Sequence, residues 1–290
     1  MGTDGVPKQR NTYFIDSRSG SETARLILQD QLVTRGMGGP FPAHLDLSAV
    51  RAVLDLACGP AGWALGVAFQ FPTTEVVGID IDPVMIDYAR AESSVQGLTN
   101  ARFQVMDMLE PWDFPDASFD LVNERFLSGV LPGAAWSALV AECRRVLRPG
   151  GVLCLAEGDA WSITGSPALL RYSGLAVQAM FKAGLSFATE GNSFGLSPLL
   201  PRFLQRAGFG DIRITPHVLD FSQGTEAFEG YYQNFTVASE LLLPFIVKTG
   251  IASQQELEHL NGRLRREMRS DDFNALWYLL VATGRKLQEP

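Results

Sequence analysis

Val53-Leu54-Asp55-Leu56-Ala57-Cys58-Gly59-Pro60-Ala61-Gly62 is the stretch whose reading decides the fold. Residues 51–57 form a short apolar run, broken by Asp55, that ends in a glycine-rich turn. Residues 62–71 then read as a helix. A strand that enters such a turn and leaves it as a helix lets backbone approach a ligand closely. The pattern repeats downstream. Residues 75–79 read as a second strand, and Asp82-Pro83 as a cap and first turn of a helix reaching about Gln96. Residues 101–106, 118–123 and 152–157 read as three more strands. A helix over 134–147 is stopped by Arg148-Pro149-Gly150-Gly151. Alternating strands and helices with short connections imply a parallel sheet with helices on both faces, a doubly wound α/β architecture.

Outside this region the rhythm differs. Residues 1–11 are polar and are expected to be loose. Residues 21–35 read as a helix with Ser21 as its cap and leucines at 26, 28 and 32, broken by residues 36–42. After residue 158 come apolar helical pieces over 160–195, a helix over 196–207 ended by Gly208, and strands over 212–219 and 277–283. Helical segments over 225–248 and 253–269 lie between those strands. The expected organisation is an N-terminal helical lid (1–45), a cofactor-binding core (46–160), and a helical substrate cap with the last two strands (161–290), completing the same domain.

Composition narrows the function. The 290 residues carry 24 Lys and Arg against 32 Asp and Glu, a net charge of −8. An acidic chain is a poor match for a phosphate backbone, so nucleic acid is not expected as a partner. The densest basic group, Arg263, Arg265, Arg266 and Arg269, is interleaved with Glu256, Glu258, Glu267, Asp271 and Asp272, which reads as a solvated helix face. Cys58, Cys143 and Cys154 form no CxxC pair and no metal cluster with histidine, so reduced thiols, no metal and a cytoplasmic location are expected. No apolar run approaches the roughly 18 residues a membrane helix needs. Residues 241–247 are too short and contain Pro244.

Three acids crown successive strands. Asp55 ends the first, just before the turn, where it would repel a pyrophosphate and suit a cation. Asp80 ends Val76-Val77-Gly78-Ile79-Asp80, about 20 residues past the turn, where a carboxylate accepts from two ribose hydroxyls. Asp107 ends the third between Met106 and Met108, placed to accept from an adenine amino group with the two methionines lining the ring. Ala57 replaces the first glycine of a dinucleotide GxGxxG. S-adenosylmethionine, which carries an ammonium and a sulfonium, fits these acids better than NAD.

These residues, followed by Ser118-Phe119-Asp120-Leu121-Val122 and Arg145-Val146-Leu147-Arg148-Pro149-Gly150-Gly151, resemble the class I S-adenosylmethionine-dependent methyltransferases over roughly residues 50–158. Tyr13-Phe14-Ile15, Glu22 and Arg25-Leu26-Ile27-Leu28-Gln29 resemble the N-terminal lid of a small-molecule branch related to the ubiquinone and menaquinone methyltransferases, as do Ala207-Gly208-Phe209 and Thr283-Gly284-Arg285-Lys286. The resemblance implies a Rossmann-like, seven-stranded, mostly parallel sheet whose last strand is antiparallel. It also implies roles. Ala57, Cys58 and Gly59 approach the methionine part by backbone, Asp80 holds the ribose and Ile81 packs on the adenine. Asp107 contacts the adenine amino group beside Met108. Asn123 faces the cofactor near the sulfonium. Tyr13, Arg25 and Gln29 close over the methionine carboxylate. The family normally has Gly where Ala57 stands, a small departure that should be tolerated.

Methyl transfer from a sulfonium is an in-line displacement, so the enzyme mainly aligns the acceptor and excludes water. A general base is optional and depends on the acceptor. Glu157 and Asp159, at the end of the fifth strand, and Glu124 with Arg125, after the fourth, are the candidates for facing the acceptor. His44, His217 and His259 read as structural or surface residues. Trp161, Tyr172, Met180, Phe181, Phe187, Phe194, Tyr231, Tyr232 and Phe235 suggest an apolar, aromatic-lined acceptor site under the insert, which Trp112 and Phe126 also border. The expected function is transfer of a methyl group to a small, apolar or aromatic molecule by a monomer or homodimer. The alternatives are an adenosylmethionine-binding protein without transfer, an NAD-dependent oxidoreductase, and a protein or RNA methyltransferase.

Overall fold

The computed structural model describes Tyr13, Ile15 and residues 20–188, 191 and 193–288. The segment 1–11 expected to be loose, and Phe14 of the lid resemblance, lie outside the described residues. Strands β1 (Ala52–Leu56), β2 (Glu75–Asp80), β3 (Ala101–Val105), β4 (Phe119–Arg125), β5 (Leu147–Gly158), β6 (Ile163–Thr164), β7 (Phe209–Asp220) and β8 (Ala275–Lys286) form one sheet. Its order is β3-β2-β1-β4-β5-β8, with β7 completing the far edge against β8. β1 to β5 pair in parallel, and β8 runs antiparallel to both β5 and β7. The seven expected strands are all present, the last antiparallel as the resemblance implied. The two-residue β6 is an addition, continuing along β8 past the end of β5.

β1 is fully buried, as a central strand covered on both faces must be. Side-chain alternation divides its residues between two cores. Val53 packs with Val76, Phe103 and Leu121 under helices α2 (Gly62–Gln70) and α3 (Pro83–Val95). Leu54 and Leu56 pack with Val77, Ile79 and Val122 on the opposite face, which is covered by α4 (Trp136–Val146) and the helices of the insert. Those are α5 (Pro167–Lys182), α6 (Leu200–Arg206), α7 (Phe228–Leu241), α8 (Leu243–Thr249) and α9 (Gln254–Met268). The arginines of α9 and its C-cap pair outward, Arg263 with Glu267, Arg265 with Glu240 and the capping Arg269 with Glu229, as a solvated face requires.

Two local readings need correction. The first helix, α1, spans Gly20–Gly36, so Ser21 lies within it and is not its cap. β4 runs to Arg125, so Glu124 and Arg125 belong to the strand and do not follow it. Asp82 does cap α3, accepting from the Val84 N–H at 2.8 Å with Pro83 in the first turn.

The strand order reverses between β1 and β4, which opens a crevice beyond their carboxyl ends. The turn there is strained at Ala57, whose φ of 48° lies in the left-handed region. Such a conformation costs an L-residue with a Cβ about 1–2 kcal/mol. Replacing alanine by glycine also frees the unfolded chain, which offsets about 0.4–1 kcal/mol. Ala57→Gly should therefore raise unfolding stability by about 0.5–1 kcal/mol. A urea midpoint that falls in this variant would show that the methyl group is not strained.

Candidate functional site

The crevice is a cavity of about 310 Å³. It has two chemically distinct ends. The first is built from the carboxyl ends of β1 to β4 and from α1, and it holds every charged residue of the lining described: Arg25, Asp30, Asp55, Asp80, Asp82, Asp107 and Arg125. The second is built from the loop after β4, the insert and the last strands. Phe126, Val130, Leu131, Trp161, Met180, Phe194, Phe221, Tyr231, Phe235 and Trp277 line it.

Asp55 sits at the floor of the charged end, 4% exposed. Parallel pairing of β1 with β4 brings Asn123 opposite it, and the Asn123 amide donates to Asp55 Oδ1 at 2.7 Å. Burial pushes the Asp55 carboxyl up to about 7, while Arg125 and the Asn123 amide pull it back down. Arg125 is itself held by Asp30 and by Thr34 Oγ1 at 2.9 Å, both on α1, and lies over the Trp63 ring. Asp80 accepts from Gly59 N–H and Asp82 N–H, each at 2.9 Å, which ties the glycine turn to the end of β2. Burial also raises the Asp80 carboxyl, against the pull of those backbone donors. Asp107 accepts from the Leu109 N–H at 2.9 Å, closing the turn after β3.

The N-terminal residues form a second buried group. Glu22 and Arg25 are paired through two hydrogen bonds of 2.7 and 2.8 Å. Tyr13 donates to Glu22, and Arg25 donates to Gln29 Oε1 at 2.7 Å. The Asn234 amide donates to the Arg25 carbonyl at 3.1 Å, joining α1 to α7.

The structure brings together Tyr13, Arg25, Gln29, Asp55, Ala57, Cys58, Gly59, Asp80, Ile81, Asp107 and Met108 on the cavity wall. Met106 and Asn123 are not on that wall. Met106 is packed against the main core, its N–H bonded to the Asp80 carbonyl. Asn123 stands behind Asp55, 1% exposed, so it orients a carboxylate rather than facing a ligand. Of the four acceptor-side candidates, Arg125 is on the wall, and Glu124, Glu157 and Asp159 lie off it. Glu124 and Glu157 are fully buried behind the 126–128 loop. Asp159 accepts from the N–H groups of Leu196 and Ser197 at 2.8 and 2.9 Å and from Ser193 Oγ, so it fastens a loop. Of the expected aromatic lining, Trp161, Met180, Phe194, Tyr231, Phe235 and Phe126 face the cavity. Tyr172 is buried behind it, its hydroxyl bonded to the Ser239 carbonyl, and Trp112 packs in the core with its indole N–H on the Met108 carbonyl. Phe181, Phe187 and Tyr232 point elsewhere. Phe221 and Trp277 were not expected. They come from the end of β7 and from β8, and alternation in those strands was the only signal that could have exposed them.

Among the described residues, no group of three or more histidines, cysteines or acids is placed to hold a metal ion. A cationic ligand fits the charged end on the structure's own terms. Asp55 is buried with one amide partner, and Gly59 leaves open space where a side chain would stand, its nearest neighbour to an added Cβ being Leu26 at 3.8 Å.

The methyltransferase domain family matches residues 53–151. The demethylmenaquinone methyltransferase of Deinococcus radiodurans is 38% identical over 125 residues, 43% of this chain and 50% of that protein. Methyltransferase str3 of Strobilurus tenacellus is 33% identical over 117 residues, 40% of this chain and 39% of that protein. The chain thus spans half or less of the length of these two relatives. Methyltransferase pytC of Aspergillus terreus is 27% identical over 278 residues, 91% of this chain and 81% of that protein. The fold is shared with the YcgJ protein of Bacillus subtilis, at a TM-score of 0.52 and 18% identity over 91% of this chain and 99% of that one. It is shared too with phosphoethanolamine N-methyltransferase 2 of Haemonchus contortus, at 0.53 and 17% over 96% of this chain and 59% of that one. Residues 53–151 thus match a methyltransferase domain, and its ordered motifs lie on a sheet of the topology shared with these structures.

Proposed function

We propose that this protein binds S-adenosylmethionine at the charged end of the cavity and transfers its methyl group to a neutral, ring-bearing small molecule held in the aromatic end. The observation that carries the reading is one continuous cavity with all its described charges at one end. S-adenosylmethionine supplies a methyl group on a sulfonium, with a neutral thioether as leaving group. Asp55 offers negative charge to that cation, Asp80 accepts from the ribose hydroxyls, and Asp107 with Ile81 and Met108 holds the adenine. Tyr13, Arg25 and Gln29 form the cover over the methionine carboxylate. In this reading Arg25 exchanges part of its pairing with Glu22 for the ligand's carboxylate.

The aromatic end selects the acceptor by what it cannot satisfy. A charged amine, phosphate or dicarboxylate placed there would lose its hydration without gaining a counter-charge, a cost of several kcal/mol. A neutral ring system would bury its faces against Trp161, Phe221 and the stacked pair Phe126 and Trp277, whose centroids are 5.4 Å apart. The charge segregation also favours a small acceptor over protein or RNA. Asp55 disfavours NAD, whose pyrophosphate would meet a buried carboxylate. Among the described residues no helix is long and apolar enough to cross a membrane, and three free thiols support the reading of a cytoplasmic enzyme. The lid, core and cap read from sequence are the parts that cover, bind and select.

Two measurements test the cofactor half. Asp80→Ala should weaken S-adenosylhomocysteine binding by about 1–3 kcal/mol in calorimetry, the scale for losing the partner of buried hydroxyls. Unchanged affinity would place the ribose elsewhere. The second concerns pH. With the Asp55 carboxyl raised to about 7, its ionised form prevails above that value. A cation binds that form, so affinity for S-adenosylmethionine should fall as pH drops below about 7 and level off above it. Asp55→Asn should flatten this dependence. A wild-type affinity that stays level down to pH 5 would count against Asp55 as the counter-charge.

A further inference from the structure

Ser128 is the only serine or threonine among the described residues lining the cavity. It stands three residues past the end of β4. The β1–β4 register sets Asn123 opposite Asp55 and Glu124 opposite Leu56. The 126–128 loop therefore emerges beside the Ala57–Gly59 turn, where the charged end of the cavity meets the aromatic end. Phe126 enters this loop at a φ of 66°, a left-handed conformation that a bulky residue adopts only when its surroundings impose it.

What imposes it is a buried pair of glutamates. Glu157 accepts from the Leu127 N–H at 2.7 Å, from the Ser128 N–H at 3.1 Å, and from the Ser128 hydroxyl. Glu124 accepts from the same Leu127 N–H at 3.0 Å. Both side chains are inaccessible to solvent. Two buried carboxylates sharing one donor cannot both be ionised. Three donors converge on Glu157, so it carries the charge and Glu124 holds the proton. The other groups around them do not alter this. Arg125, on β4, faces Asp30 and Asp55. Cys143 on α4 and Cys154 on β5 have thiols pushed up by burial and stay neutral. Across the strand pair, the β8 partner of Glu157 is Leu280.

We infer that Ser128 is a catalytic residue that takes the proton of a hydroxyl acceptor and relays its own to Glu157. This inference rests on the methyl-transfer reading above and names its acceptor class: an alcohol or phenol methylated on oxygen. The step balances. The acceptor oxygen bonds to the methyl carbon as the carbon–sulfur bond breaks and its electron pair stays on sulfur. The acceptor's proton passes to Ser128 Oγ, and the Ser128 proton passes to Glu157 Oε2. The positive charge lost at sulfur is matched by the negative charge lost at the carboxylate. Glu157 then returns the proton through Ser128 to water entering the cavity once product leaves. Burial pushes Glu157 up to about 7, where a general base operates well at neutral pH.

The test uses the full chain with phenol and 4-nitrophenol as acceptors at saturating S-adenosylmethionine. In mildly alkaline buffer phenol still needs its proton removed, whereas 4-nitrophenol is already largely ionised. Ser128→Ala should lower kcat/KM for phenol on the order of 10²-fold and leave 4-nitrophenol nearly unchanged. Ser128→Thr, which keeps the hydroxyl, should recover most of the loss. Phenol turnover by the wild type should fall as pH drops below about 7, because the base must be ionised. In Ser128→Ala that limb should move up towards the ionisation of phenol itself. A readout without turnover uses glutamate labelled at the carboxyl carbon and followed by NMR in the unliganded protein. One buried signal should titrate near 7, and its midpoint should rise in Ser128→Ala, since a donor to the charged form is gone. Equal losses on both phenols, transfer to neither phenol, or a midpoint unmoved by Ser128→Ala would overturn the relay. Failure of the wild type to bind S-adenosylhomocysteine in calorimetry would instead overturn the methyltransferase reading beneath it.

Discussion

The desolvated Asp55 carboxylate is the constraint on which the site depends. A charge in the middle of a parallel sheet loses its hydration and must find partners or a proton. Asn123 supplies one hydrogen bond from the neighbouring strand. Arg125 supplies the counter-charge, but a guanidinium there is also largely buried and needs acceptors of its own. It finds them on α1, in Asp30 and Thr34. The demand for charge compensation at the floor of the crevice thus draws the N-terminal helix over its mouth. Gly62 permits the approach: a Cβ at that position would come within 2.5 Å of Asp30 Oδ2.

The sheet and most of the charged end were legible in the sequence because both rest on local signals. Strand–turn–helix units repeat at short spacing, and Asp55, Asp80 and Asp107 lie at or just past the carboxyl ends of β1, β2 and β3. Once the strands are known to be parallel and adjacent, the three acids must share an edge. The pairings across the chain were not legible. Arg125 and Asp30 are 95 positions apart, and nothing in either neighbourhood announces the other. Asn123 was misread for a related reason. Its place at the end of β4 was clear, but whether its side chain turned to the ligand or to Asp55 depended on the β1–β4 register. Met106 was misplaced by a shorter step: β3 stops at Val105, so Met106 bonds back to β2 and Asp107 and Met108 alone turn outward.

The insert shows the opposite balance. Its richness in aromatics was plain, yet composition could not say which rings face a ligand and which fill a core. Tyr172 and Tyr231 illustrate this. Both are buried tyrosines on helices of the cap. Tyr172 spends its hydroxyl on the Ser239 carbonyl and packs helix against helix. Tyr231 stacks on Phe221, 4.4 Å between centroids, and reaches the cavity wall. The difference lies in which face of each helix meets β7 and β8. The residue after β7 and β8 itself supply Phe221 and Trp277, so the aromatic end is completed by the last part of the chain, far in sequence from the match to the methyltransferase domain.

Pleating of β4 explains why the two ends of the cavity can be tuned separately. Adjacent side chains on a strand point to opposite faces. Asn123 turns to the face that holds Asp55, while Glu124 turns to the other, where Glu157 waits on β5. One residue therefore supports the Asp55 carboxylate and the next supports the loop that carries Phe126 and Ser128. In the sequence, Glu124 and Glu157 looked like loop charges able to face an acceptor directly. Burial removes that option but not the chemistry. The Glu157 carboxyl is raised because water cannot solvate it, and its contact with the cavity runs through the Ser128 hydroxyl. Excluding water and raising the Glu157 carboxyl are one physical act, and both follow from closing the 126–128 loop over two buried acids.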